Sequence, residues 1–144
     1  NEDELPSWSV TAHDDQVGIG KYALNTSLYE TQREGDTLFL IPHFGAGEFR
    51  YREFHMASSS LRRDLSDKEI TKLVIDLSDA FYFGSEFIGM MIVFAKAVKS
   101  HGGRSVICSA TEQMLEVLNT MNMAKLIPIF PSREEALSWL AEDS

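Results

Sequence analysis

The densest apolar patterning in the 144-residue chain falls between Lys72 and His101. Leu73, Val74, Ile75 and Leu77 form a run broken only by Asp76, the pattern of a central strand covered on both faces. After Phe81-Tyr82-Phe83-Gly84 comes a mostly apolar stretch from Phe87 to Val98. The 17 positions from Ser85 to His101 contain no Pro and stop at Gly102-Gly103, which predicts a helix beginning at Ser85 and closed by a left-handed glycine. Lys96, Lys99 and His101 fall in its last turns and Glu86 in its first, as a helix dipole favours. Ser85 is expected as a capping hydroxyl at the positive end of that dipole, beside the C-terminal edge of a strand.

The flanking patterns are shorter. Thr26–Thr31 has strand composition, Arg33-Glu34-Gly35-Asp36 reads as a turn, and Thr37–Ile41 reads as a buried strand stopped by Pro42, so the two strands form a hairpin. Gly45 and Gly47 mark a turn. Between Glu48 and Leu65, Phe49, Phe54, His55, Met56, Leu61 and Leu65 give a helical stripe weakened by Ser58-Ser59-Ser60. Ser66-Asp67-Lys68-Glu69 has capping-box spacing and predicts one turn. A strand at Ser105–Cys108, a helix from Thr111 to about Met121, a short strand at Ile127–Phe130 and a last helix opened by the capping box Ser132-Arg133-Glu134-Glu135 complete the chain. A hairpin followed by alternating strands and helices predicts an α/β domain, with a mixed four- to five-stranded sheet and helices packed against it.

Charge divides the chain. Residues 1–20 hold five acids and no Lys or Arg, which accounts for −5 of the net −9, and they read as a solvated arm joined through Gly18-Ile19-Gly20 to a single domain at 21–144. Trp8 and Val10 are the arm's candidate anchors. The acidic balance speaks against a nucleic-acid footprint. The basic residues Arg50, Arg52, Arg62 and Arg63 alternate with Glu48, Glu53 and Asp64 as on a solvated helix face. A lone Cys108 excludes an internal disulfide framework and reads as a small buried hydrophobe. No apolar run reaches the roughly 20 residues of a membrane span, and no signal-peptide pattern opens the sequence, so a cytoplasmic protein is expected. A chain opening on Asn is expected to be a fragment or a processed form.

The order of elements from Thr26 to Leu140, and above all Val74-Ile75-Asp76-Leu77-Ser78 followed by Phe83-Gly84-Ser85-Glu86-Phe87-Ile88-Gly89, resembles the STAS domain of anti-sigma factor antagonists. In that family a buried strand ending in Asp-Leu-Ser leads to an Asp-Ser-Ser/Thr-Gly-Leu-Gly turn that opens a helix. Here Gly84 stands in place of the Asp, and Glu86 and Phe87 replace Ser/Thr and Gly. The resemblance implies a non-enzymatic regulatory domain that needs no cofactor. Its partners would be an anti-sigma factor or serine kinase and a cognate phosphatase, with Ser85 as the phosphorylated residue and Gly84, Glu86, Phe87, Met90 and Met91 as the surrounding partner surface. A STAS-type module that is never phosphorylated, and only docks a partner or a small anion at the same helix end, is the alternative.

Catalytic readings have less behind them. A serine hydrolase elbow wants Gly two residues either side of the nucleophile, and around Ser85 both positions are Phe, Phe83 and Phe87. His13, His43, His55 and His101 show no metal-ligand spacing, although His43 and His55 are candidates to meet in space. Asp76 and Asp79 suggest a phospho-accepting receiver, a fold that begins with βαβ units rather than a hairpin. Phe87, Met90, Met91, Phe94 and Val98 span more than one helical stripe, which leaves core and Met-rich partner surface both open for that helix.

Overall fold

The computed structural model describes residues 28–43, 51–80 and 84–142. The acidic arm with Trp8 and Val10, His13, the turn glycines Gly45 and Gly47, Glu48–Arg50 and Phe81–Phe83 lie outside the described residues. Five strands, β1 (Tyr29–Glu34), β2 (Thr37–Pro42), β3 (Lys72–Asp76), β4 (Arg104–Cys108) and β5 (Ile129–Phe130), form one sheet in sequential order. β1 pairs antiparallel with β2 and every other pairing is parallel, so the sheet is mixed and has five strands. Among the described residues four α-helices accompany it: α1 (Tyr51–Leu65), α2 (Ser85–Lys99), α3 (Glu112–Thr120) and α4 (Arg133–Glu142).

Parallel neighbours need crossovers, and the helices supply them. α1 to α3 bury Phe54, Leu61, Phe87, Phe94, Met114 and Leu118 against one face of the sheet, with Leu38, Leu40, Leu73 and Ile75. α4 covers the other face through Ala136 and Leu140, packed on Phe39, Val74, Val106 and Cys108. Because strand side chains alternate between faces, Leu38-Phe39-Leu40 and Leu73-Val74-Ile75 must be apolar at every position to serve both cores. Cys108 is the small buried residue its setting in a strand predicts, and burial pushes its thiol up to about 11.

The hairpin differs from the expected one by three residues. β1 continues through Gln32-Arg33-Glu34, and the loop is only Gly35-Asp36, with Glu34 opposite Thr37. Gly35 takes φ +63°, which glycine adopts without steric penalty. Asp36 then ties the loop to the start of β3: its carbonyl accepts from Thr71 and Lys72 N–H, and its carboxylate accepts from the Thr71 hydroxyl at 2.7 Å. Polar residues continue the strand because β1 is an edge with one exposed side.

The stripe on α1 is also corrected. Phe54, Ala57, Ser58, Leu61 and Leu65 are buried, whereas His55 is exposed and Met56 is 68% exposed. Ser58 sits in the core because its hydroxyl meets Tyr29 Oη at 2.8 Å, giving both buried groups a partner. The turn at Ser66–Glu69 forms, but Asp67 Oδ1, not Ser66, accepts from Glu69 N–H, while the Ser66 hydroxyl donates back to the Arg62 carbonyl. The capping box at α4 shows its expected first half, Glu135 N–H to Ser132 Oγ at 3.2 Å.

α2 ends in a Schellman motif. Gly103 N–H bonds the Val98 carbonyl, Gly102 N–H bonds the Lys99 carbonyl, and Gly102 lies at φ +91°. Gly103 needs its missing side chain for a different reason: a Cβ there would sit 2.5 Å from Val98 Cγ1 and 2.7 Å from the Thr71 carbonyl oxygen. Gly103→Ala is therefore expected to lower stability by about 1–3 kcal/mol in urea unfolding, as overpacking does. A loss below about 0.5 kcal/mol, the scatter of neutral surface changes, would show that strand and helix separate there without strain.

Candidate functional site

The parallel strands aim their C-terminal ends at one edge of the sheet, and α2 starts there. Leu77 N–H extends the sheet ladder to the Cys108 carbonyl, Ser78 N–H turns onto Asp76 Oδ1, and Ala80 N–H closes a turn on the Leu77 carbonyl. The chain then re-enters as Gly84, in extended conformation at φ −104° and ψ 177°, with its carbonyl accepting from Ile88 N–H.

Gly84, not Ser85, is the N-cap, and it has no side chain with which to cap. Ser85 is the first helical residue, as expected, but its hydroxyl is not a cap. It is exposed and has no hydrogen-bond partner among the described residues. No base is bonded to it either: His43 Nε2 meets Glu30 Oε1 at 2.9 Å and His43 Nδ1 lies 3.6 Å from Asp79 Oδ2. Ser85→Ala is accordingly expected to leave the midpoint of thermal unfolding unchanged, within the ±0.5 kcal/mol of an ordinary surface change. A true N-cap serine would lose about 0.5–2 kcal/mol.

Of the residues expected to surround Ser85, Gly84, Glu86 and Met90 reach the surface at least in part. Phe87 and Met91 are corrected: both are fully buried in the core beneath α2, where no partner can touch them on the folded domain. The reason is the helical period. Phe87, Met91, Phe94 and Val98 recur every three or four residues and all face the sheet. Most of the apolar character of α2 is therefore core.

Beside this helix start lies a charged cluster that local patterning did not reveal. Asp76 ends β3 with only 6% of its surface exposed. Its Oδ2 accepts from Arg133 Nη2 at 2.9 Å and Nε at 3.1 Å, and the guanidinium stacks 4.5 Å above the Phe39 ring. Burial pushes the Asp76 carboxyl up, but hydrogen bonds from Ser78 and Arg133 outweigh it and the net direction is downward. Glu30 is also lowered, chiefly by its hydrogen bond to His43. Arg133 reads in sequence as a capping-box residue, and its partner is 57 positions away. His55 lies on the exposed face of α1. Among the described residues no group of His, Cys, Asp and Glu could hold a metal ion.

The family model of the STAS domain matches residues 45–136, the span from before α1 into α4. The chain belongs to the STAS domain family. A Thermotoga neapolitana homolog of TM1081, assigned to the anti-sigma factor antagonists, is 26% identical over 102 residues, covering 71% of this chain and 88% of the relative. The structure of an anti-sigma factor antagonist STAS protein from Planctomyces limnophilus superposes with a TM-score of 0.66 at 23% identity, covering 78% of this chain and 97% of that one. Unphosphorylated SpoIIAA, an anti-sigma factor antagonist, matches with a TM-score of 0.64 at 11% identity over 79% of this chain and 96% of its own. Phosphorylated SpoIIAA from Bacillus matches with a TM-score of 0.55 at 15% identity over 76% of this chain and 96% of its own. At these identities the structural likenesses establish the fold. The span matched by the STAS model holds α1 to α3, β3 to β5 and the start of α4, and Ser85 lies within it.

Proposed function

We propose that this STAS domain is an anti-sigma factor antagonist-like regulator. It works in the cytoplasm by non-catalytic association with an anti-sigma factor or serine kinase, and phosphorylation of Ser85, reversed by a phosphatase, ends the association. The observation that carries this reading is the exposed Ser85 hydroxyl on the first helical residue of α2, freed from capping by the glycine before it.

A phosphate adds about −1.5 to −2 charges and three strong acceptors. At a helix N-terminus these meet the positive end of the dipole, so the fold tolerates the modification. The change falls on the binding surface. Beside Glu86, and on the same helix face as Gly89, the phosphate turns a weakly polar contact patch into a strongly anionic one. A partner that packs on the neutral patch would have to desolvate that charge, which favours dissociation. SpoIIAA has been solved in phosphorylated and unphosphorylated forms, which supports the same reading here.

The test is a phosphosite map and intact mass of the protein from its native cells, with Ser85→Ala alongside. The expected result is one phosphate on Ser85, absent from the folded variant, with an anti-sigma factor co-purifying only with unmodified protein. A Ser85 that is unmodified under every growth and stress condition would overturn the switch and leave a constitutive docking module.

A further inference from the structure

The opposite end of α2 holds a second feature. Among the described residues β5 pairs with β4 at Ile107 and Cys108, which leaves the Arg104–Val106 stretch of β4 as an edge of the described sheet. A cavity of about 340 Å³ lies against that edge, bounded by the last turns of α2, β4, the approach to β5 and Trp139 of α4. The volume is at the lower end of the range for small-molecule sites, about 300–1,000 Å³.

Its two ends differ chemically. α2 runs antiparallel to β4, so Ile92 lies toward one end and Lys96, Lys99, Arg104 and Ser105 toward the other, while the β4–β5 register sets Ile127 level with Ser105. Among the described residues no carboxylate lines the cavity, although the chain as a whole is strongly acidic. Lys96 and Lys99 are exposed and have no ion-pair partner among the described residues. A favourable place at a helix C-terminus accounts for two lysines but not for what lies across from them. Ser105 is 8% exposed, and its Oγ is buried without a hydrogen-bond partner. Alternation along β4 puts it on the face of Ile107, toward α2. A buried hydroxyl with no acceptor or donor is unfavourable, and native structures leave few such groups. Arg104 is already placed, donating through Nη2 to the Leu140 carbonyl at 2.9 Å with its guanidinium 5.1 Å from the Trp139 ring.

The geometry points to a binding site for a small apolar carboxylate. The hydrocarbon part packs along Ile92, Ala95, Ile127 and Trp139. The carboxylate accepts from Lys96 and Lys99 at the cationic end and takes the Ser105 hydroxyl as a further donor. This site is separate from Ser85, at the other end of the same helix, so its fate does not depend on the phosphorylation reading.

Sodium octanoate titrated into the full 15N-labelled chain tests it. Expected are saturable shifts at Ile92, Ala95, Ser105, Ile127 and the Trp139 indole N–H, with octanamide, the neutral analogue, about tenfold weaker. The Lys96→Ala/Lys99→Ala double variant changes only exposed side chains and is expected to weaken octanoate about tenfold without altering the unliganded spectrum elsewhere. Ser105→Ala is expected to weaken octanoate severalfold while leaving the ligand-free unfolding midpoint unchanged or higher, because it removes an unpartnered hydroxyl. Equal binding of octanoate and octanamide, shifts that never saturate, or full octanoate affinity in both variants would overturn the site.

Discussion

Phe94→Ala is expected to destabilise the domain by about 3–5 kcal/mol, a large fraction of the 5–15 kcal/mol typical of a folded domain. Phe94 is fully buried near the middle of α2 and meets Tyr29 edge-on, ring centroids 6.1 Å apart. Tyr29 in turn packs 6.4 Å from Phe54 and hydrogen-bonds Ser58, so one ring links β1, α1 and α2. Tyr29 cannot move into the space left by the deletion without disturbing its hydrogen bond to Ser58. Burial already pushes the Tyr29 phenol well up, with the Ser58 bond only partly offsetting it, which marks a dry pocket where a cavity is unfavourable. Urea unfolding of the variant at neutral pH measures the loss. A decrease below about 1.5 kcal/mol, the scale of Ile→Val, would mean that α2 is not held by this cluster.

That cluster also shows why some of the molecule was legible in its sequence and some was not. The central strand, the start and end of α2 and the capping box of α4 are written in local signals: continuous β-branched residues, a Pro-free apolar stretch closed by two glycines, and S-x-x-E spacing. Ser58 reads as a helix-weakening serine because its partner, Tyr29, is remote in sequence and meets it only after the sheet has formed. The polar residues Arg33 and Glu34 look like a turn because an edge strand needs only one apolar face. At the site, Ser85 is identifiable from the turn motif and its place after the strand. Which of its neighbours reach the surface depends on helical phase, and a helix apolar on several sides does not declare its phase until a sheet lies beneath it. The pairing of Asp76 with Arg133 has no local sign at all.

Arg133→Leu is expected to cost about 3 kcal/mol at pH 7, at the lower end of the range for removing one partner of a buried ion pair. The lower end is appropriate because Arg133 keeps 33% of its side chain exposed, whereas Asp76 keeps 9%. The substitution leaves a carboxylate at the end of β3 with the backbone and side-chain donors of Ser78 and, among the described residues, no cation paired to it. The pH dependence separates this cause from lost packing on Phe39. In the wild type the Asp76 carboxyl is lowered by folding, so its contribution is present above the unfolded value, near pH 4, and disappears as pH falls through the lower folded value. In the variant the Arg133 contributions are lost and only the Ser78 hydrogen bonds oppose burial, so the carboxyl moves up from its wild-type position, and the penalty, full at pH 7, is relieved on acidification as the group protonates. The difference in unfolding free energy between the two proteins should therefore shrink as pH falls through the variant's carboxyl toward the lower wild-type one, a window that includes the ordinary carboxyl value of about 4 and extends below it. Asp76→Asn/Arg133→Leu, which removes both charges, should be more stable than Arg133→Leu at pH 7 and lack that trend. A gap that stays constant with pH would assign the effect to packing against Phe39. A gap that closes ties Arg133 electrostatically to the strand end from which the Ser85 turn departs.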